Sequence, residues 1–163
     1  MSLKWMVTMI DTLTQFSVFL GNKPDTLGRV CRELATAKIN IVALTMMDAS
    51  EHGVLRIVAR NPDKARSVFN NMNLSMTEAT VLGVTMPNKP GMLADVCEKL
   101  SANRVPISYL YSTTGAAGGK AIGIFKVQNM AKAIKVLESK RASSKDMKGN
   151  LRNMQRAAGA AKR

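Results

Sequence analysis

The stretch Asn22-Lys23-Pro24-Asp25-Thr26-Leu27-Gly28-Arg29-Val30-Cys31-Arg32-Glu33-Leu34 comes back 66 residues later as Asn88-Lys89-Pro90-Gly91-Met92-Leu93-Ala94-Asp95-Val96-Cys97-Glu98-Lys99-Leu100. Asn-Lys-Pro is shared, then Leu, Val, Cys and Leu. At the same shift Ile41 and Leu44 align with Ile107 and Leu110. Self-similarity over this length indicates duplication of a whole folding unit.

Both copies read alike. Phe16-Ser17-Val18-Phe19-Leu20 and Val81-Leu82-Gly83-Val84-Thr85-Met86 are strand-like and lead into turns with Pro near a helix start. Leu27, Val30, Cys31 and Leu34, like Leu93, Val96, Cys97 and Leu100, recur at i, i+3, i+4 and i+7, one apolar helix face. Residues 39–47 and 107–112 are β-branched or aromatic-rich. A polar turn follows, His52-Gly53 or residues 115–119, and then strands at 54–60 and 121–127. A second helix opens at Asn61-Pro62-Asp63, with Asn61 as cap and Pro62 in the first position, and its counterpart opens near Asn129. The order strand, helix, strand, strand, helix, strand predicts an α+β fold with helices on one face of an antiparallel sheet.

The second unit lacks a last strand of its own. The shift of 66 maps residues 74–79 onto residues 8–13, so residues 6–13 are expected to complete unit two although they precede unit one. Two long strands, residues 6–20 and 73–86, would then pair antiparallel about a pseudo-twofold and join the units in one sheet. Pairing within two separate domains is the alternative. The expected division is residues 14–80 for unit one, 81–139 for unit two with 6–13 as its fourth strand, and 140–163 as a basic tail.

The chain of 163 residues carries 24 Lys+Arg against 11 Asp+Glu, a net +13. From Lys140 onward there are eight cations against Asp146 alone, so the last 24 residues hold +7 and the body +6. Met147, Leu151, Met154 and Ala158 would give a helical tail a thin apolar stripe beside Lys145, Lys148, Arg152 and Arg156. Such a face suits nucleic acid, an acidic partner or an anionic membrane surface. Gly149 and Gly159 oppose the helix by about 1 kcal/mol each against Ala, and a solvated tail is the expectation. No apolar run reaches the roughly 20 residues of a membrane span. Residues 1–20 lack a basic head, an apolar core and a small-residue cleavage site, so a cytoplasmic location is expected.

The strand, then Asn-Lys-Pro-Gly-Met-Leu, then an amphipathic helix and an apolar strand, resembles the ACT domain, a small regulatory module that binds amino acids. The resemblance covers residues 6–139 as two ferredoxin-like copies without an attached enzyme. It implies a ligand beside the turn between first strand and first helix, often at a junction between modules. Carried over by position, the contacts are Asn88, Pro90, Gly91, Met92 and Leu93, with Ile107, Ser108, Tyr109 and Tyr111 on the facing strand. Unit one offers Asn22, Pro24, Asp25, Thr26 and Leu27, with Asn40 and Ile41. The chemistry suits an α-amino acid: free N–H groups and the positive dipole end at a helix start favour a carboxylate. Gly91 keeps the backbone approachable, and Asn88 can donate or accept. Unit one departs from the pattern at Asp25, which could cap its own helix and repel a carboxylate, or else hold an ammonium group. Unit two is therefore the expected site.

Other residues read more plainly. Both Asn-Lys-Pro turns also fit simple helix initiation. Cys31 and Cys97 are expected in the core, the twelve methionines as packing, and His52 on the surface in a turn. Tyr109 and Tyr111 share one face as sheet packing or ligand contacts. Residues 115–119 lack the Gly-Lys-Ser/Thr of a phosphate loop and read as a hairpin. One His and no metal-ligand cluster leave no assembled nucleophile or acid–base pair, so no enzyme, metal or cofactor is expected. The second strands, as apolar outer edges, predict a homodimer. A regulated enzyme or acidic partner would read the sensor's state; nucleic-acid binding through the tail and a ligand-free scaffold are the alternatives.

Overall fold

The computed structural model describes residues 7, 9–21, 25–47, 52–115 and 119–139. Asn22, Lys23, Pro24 and the basic tail lie outside the described residues. The elements are β1 (Met9–Gly21), α1 (Thr26–Thr36), β2 (Ile41–Met47), β3 (His52–Ala59), α2 (Pro62–Asn71), β4 (Met76–Pro87), α3 (Met92–Ala102), β5 (Ile107–Thr114), β6 (Lys120–Val127) and α4 (Met130–Glu138). The six strands form one antiparallel sheet in the order β2-β3-β1-β4-β6-β5.

The two long strands are shared between the units. Residues Gln15 to Gly21 of β1 pair with β3, while Met9 to Val18 pair with β4. The segment from Met9 to Leu13 lies along Thr85 to Val81 of β4, so it serves unit two, and Met76 to Ala79 of β4 serve unit one. The β1–β4 ladder runs without a break from one unit into the other, which joins the two halves.

Period-two alternation along the strands separates three cores. Phe16, Val18 and Leu20 of β1 and Leu55, Ile57 and Ala59 of β3 pack under α1 and α2 with Val30, Leu34, Ala65 and Phe69. The Phe16 and Phe69 rings meet edge to face with centroids 5.3 Å apart. Leu82, Val84 and Met86 of β4 and Phe125 and Val127 of β6 pack under α3 and α4 with Val96, Leu100, Ala133 and Leu137. Alternate residues point to the helix-free face, where Ala43, Val58, Val81 and Ile124 form a third cluster with Leu13, Val42 and Tyr111. There β2 and β5, the two ends of the strand order, contact one another. The accumulated strand twist curls the sheet so that its edges face each other.

The helix ends follow the chain chemistry. Asn61 and Asn129 stand in extended backbone before α2 and α4, and their side chains accept from Lys64 N at 3.0 Å and Lys132 N at 2.9 Å. Helices α1, α2 and α3 end alike, with Lys38, Asn73 and Arg104 at positive φ. The amides of Ile39, Leu74 and Val105 then return to Leu34, Phe69 and Leu100, five residues back.

One sequence expectation fails locally. His52 and Gly53 do not form the hairpin turn; they begin β3, paired with Gly21 and Leu20. The strand reaches further back because β1 offers backbone partners as far as Gly21, and that pairing outweighs the turn preference of Gly.

Candidate functional site

The Asn88-Lys89-Pro90 turn sits at one far end of the sheet. Pro87 closes β4 opposite Lys120, and α3 begins five residues later at Met92. The Asn88 N–H donates to Gly119 O at 2.8 Å, and its Nδ2 donates to Gly115 O at 3.0 Å. Asn88 therefore ties the turn to the β5–β6 loop. Gly91 occupies the N-cap position at φ 86°, in the left-handed region. A side chain there would meet nothing within 4 Å, so what demands glycine is the backbone conformation. Met92 is buried under the sheet, while Leu93 remains exposed at 38%.

The helices after these turns start differently from the other two. Neither α1 nor α3 has a side-chain cap, whereas α2 and α4 both do. The amides of Leu93 and Ala94 therefore have no intrahelical acceptor. In unit one Asp25 holds the cap position, exposed, without a side-chain bond to the helix. Its φ of −93° and ψ of −8° explain this, because a capping side chain needs the extended backbone of Asn61 and Asn129. The capping role open to Asp25 from sequence is not taken up. Thr26 and Leu27 begin α1 half-buried.

The second-strand residues do not join the turns within the chain. Thr114 pairs with Ala121 at the level of Met86 and the Asn88 turn, while Ile107 pairs with Val127 at the other end of β5. At about 3.3 Å per residue, Ile107, Ser108 and Tyr109 lie roughly 20 Å along the strand from the turn they were expected to face. Likewise Ile41 and the exposed Asn40 lie at the far end of β2 from the turn of unit one. The period-two signal gave each strand its face, and only pairing register gives its level. β2 and β5 instead meet one another at the waist of the molecule, where Val42 and Ala43 share a cluster with Tyr111 on the helix-free face.

That waist holds a polar cluster which the sequence reading half missed. Gln15, fully buried at the centre of β1, donates from Nε2 to Tyr109 Oη at 2.8 Å. Its Oε1 accepts from the Tyr111 hydroxyl at 2.9 Å. The Arg56 guanidinium of β3 lies 3.8 Å from the centre of the Tyr109 ring. Tyr109 and Tyr111 do share a face, as their alternation implied. Gln15 stands among Thr12, Thr14 and Ser17 in β1, so nothing local marked it for burial, and Arg56 left no signal either.

Burial pushes the Tyr111 phenol above its ordinary range, with the neighbouring Tyr109 adding to the shift. The folded state thus holds this proton more tightly than the unfolded chain. Stability contributed by the neutral phenol is present below the ordinary tyrosine pKa of about 10 and is lost as pH rises above it. Denaturant unfolding between pH 8 and 11 is expected to show that loss, and Tyr111→Phe should remove the Tyr111 share of it. Burial also raises the Cys97 thiol, as expected of a packing cysteine.

The edges differ in character. On β2, Leu44, Met46 and Met47 are exposed at 43%, 47% and 44%. On β5 the exposed residues are Ser108, Ser112 and Thr114, so only β2 fits the apolar edge expected of both second strands. Among the described residues no group of three or more His, Cys, Asp or Glu could hold a metal ion. No helix among them is long and apolar enough to cross a membrane.

The sequence matches the family described as ACT domain pair over residues 11–154. A crystal structure of a Bacteroides thetaiotaomicron protein is 35% identical, covers 79% of this chain and 88% of its own, and superposes with a TM-score of 0.72. The ligand-free regulatory subunit of aspartate kinase from Thermus thermophilus shares the fold at 9% identity, with TM-score 0.60 and coverage of 82% and 96%. The corresponding subunit from Thermus flavus gives 11%, 0.53, and coverage of 82% and 96%. No curated protein matches the sequence. The chain belongs to the ACT domain pair family and has the fold of a tandem regulatory domain.

Proposed function

We propose that the protein is a non-enzymatic, cytoplasmic amino-acid sensor whose ligand binds at the turn of residues 88–93. The observation that carries this reading is the contrast in helix starts. The two helices that follow the repeated turns lack side-chain caps, and at α3 the cap position is a left-handed glycine with open space before it. A ligand carboxylate would take the amides of Leu93 and Ala94 at the positive end of α3. Pro90 and Leu93 would border it, with Asn88 holding the turn in shape. The unit-one turn is the weaker site, because Asp25 adds a negative charge where the carboxylate would lie.

The roughly 20 Å between the turn of residues 88–93 and the start of its own second strand means that one copy supplies only half of the expected contacts. A homodimer joined through second-strand edges would let the Ile107, Ser108 and Tyr109 end of one copy, or its Asn40 and Ile41 end, close the turn of the other. In an antiparallel edge pairing the start of one strand lies beside the end of its neighbour, which is the level of the turn. The exposed Leu44, Met46 and Met47 make β2 the edge with more to gain from burial. Ligand binding would then bias how the copies pack, and a regulated enzyme would read the change.

A thermal-shift screen with the common amino acids tests the site. A ligand at 100 times its Kd should stabilise the fold by about 2.7 kcal/mol. Gly91→Val, which forces a β-branched residue into the left-handed region, is expected to cost about 1–2 kcal/mol and to abolish the response. A response that survives in Gly91→Val, or none to any amino acid at millimolar concentration, would refute the proposal. Light scattering on the same samples should give twice the chain mass; a monomer at high concentration counts against the dimer.

A further inference from the structure

The helix-free face carries two cations that the proposed turn site does not use. Arg56 projects from β3 in the row shared with Ser17 and Thr45, and Lys126 from β6 opposite Tyr109. The curl of the sheet brings the Arg56 guanidinium onto the Tyr109 ring, so Arg56, Tyr109 and Lys126 are contiguous across the boundary between the units. All three are half-buried.

Their hydrogen-bond accounts are incomplete. Arginine carries five N–H donors in a planar fork suited to an oxyanion. Among the described residues no oxygen accepts a hydrogen bond from Arg56, which lies against the Tyr109 ring face and also acts on the Tyr111 phenol. Lys126 gives one N–H to Thr80 O at 3.1 Å and has two more. The Tyr109 oxygen accepts from Gln15, which leaves its own O–H to donate outward. The carboxylates of the ion pairs, Asp63 and Glu78, are engaged with Arg66, and Glu78 pairs with Phe16, on the helix side. Buried Gln15 fixes the Tyr109 ring, so the constellation is held by the sheet and not by flexible loops.

From this geometry we infer that the waist is a binding site for a small oxyanion, a carboxylate or phosphate. The Arg56 fork, the Lys126 ammonium and the Tyr109 hydroxyl converge on it. A partly desolvated guanidinium and ammonium attract such an anion more strongly than free surface charges do. The anion bridges β3 of unit one to β5 and β6 of unit two. It therefore favours the curled sheet in which β2 and β5 face each other, independently of any ligand at the turns.

The test is a thermal-shift and NMR titration of the full chain with inorganic phosphate and, separately, succinate, at ionic strength held constant with sodium chloride. Stabilisation by either anion is expected, with shifts of the Tyr109 ring resonances; which anion binds tighter distinguishes phosphate from carboxylate as the source. Arg56→Gln should weaken binding at least tenfold, and Lys126→Gln several-fold. Circular dichroism checks that each is folded, and Lys126→Gln carries the test if Arg56→Gln does not fold. Gly91→Val should bind the anion as the unaltered protein does, which separates this site from the turn. No stabilisation by either anion, or equal affinity in the Arg56 and Lys126 variants, would overturn the inference. So would loss of the response in Gly91→Val alone.

Discussion

Removal of residues 1–13 is expected to unfold unit two while unit one survives, although these residues precede unit one in the chain. The segment from Met9 to Leu13 forms five register pairs with Val81 to Thr85 of β4. Ile10 and Val7 pack against the core that holds Leu82, Val84 and Phe125. Losing the ladder forfeits about 1 kcal/mol per hydrogen bond, and exposing the apolar side chains costs about 1–2 kcal/mol each. The sum, about 6–10 kcal/mol, rivals the whole stability of a small domain. Hydrogen exchange should show α3, α4 and β6 losing protection while β2 and β3 keep theirs. Unit two with unchanged protection would mean that the shared strand is dispensable.

What the sequence disclosed was what repeats and periods encode. The recurrence of Asn-Lys-Pro with Leu, Val, Cys and Leu after 66 residues revealed the duplication, and the same shift placed the missing strand at residues 8–13. Asn61 and Asn129 announced their caps because a short polar side chain before a helix has a local effect. Asp25 announced one too, but the side chain's usefulness depends on backbone angles that its turn does not adopt. Register and curl were not legible. The same alternation of Tyr109 and Tyr111 fits any level along the sheet, so the distance between the turns and the second strands emerged only from pairing. The approach of Arg56 to Tyr109 depends on twist summed over the intervening strands, which no local pattern records.

Phe16→Ala is the counterpart of the truncation and should have its effect in the other unit. Phe16 lies three residues after Leu13 in the same strand, yet its side chain is fully buried under α1 and α2, against Phe69. Truncating a buried aromatic of this kind costs about 3–5 kcal/mol, from lost apolar burial and from the cavity left behind. The loss should appear as faster exchange in β2, β3, α1 and α2. The segment from Met9 to Leu13 still pairs with Val81 to Thr85, and the core around Leu82 and Phe125 is untouched, so α3, α4 and β6 should remain protected. Two lesions three residues apart on β1 would thus unfold different halves of the molecule, because the strand changes partner core between Leu13 and Phe16. If both variants instead melt every element together at one denaturant concentration, the third core of Ala43, Val58, Val81 and Ile124 couples the units more strongly than the helical cores divide them. In that event a ligand at either turn would stabilise both units alike, and the division into a sensing unit and a weaker one would fail.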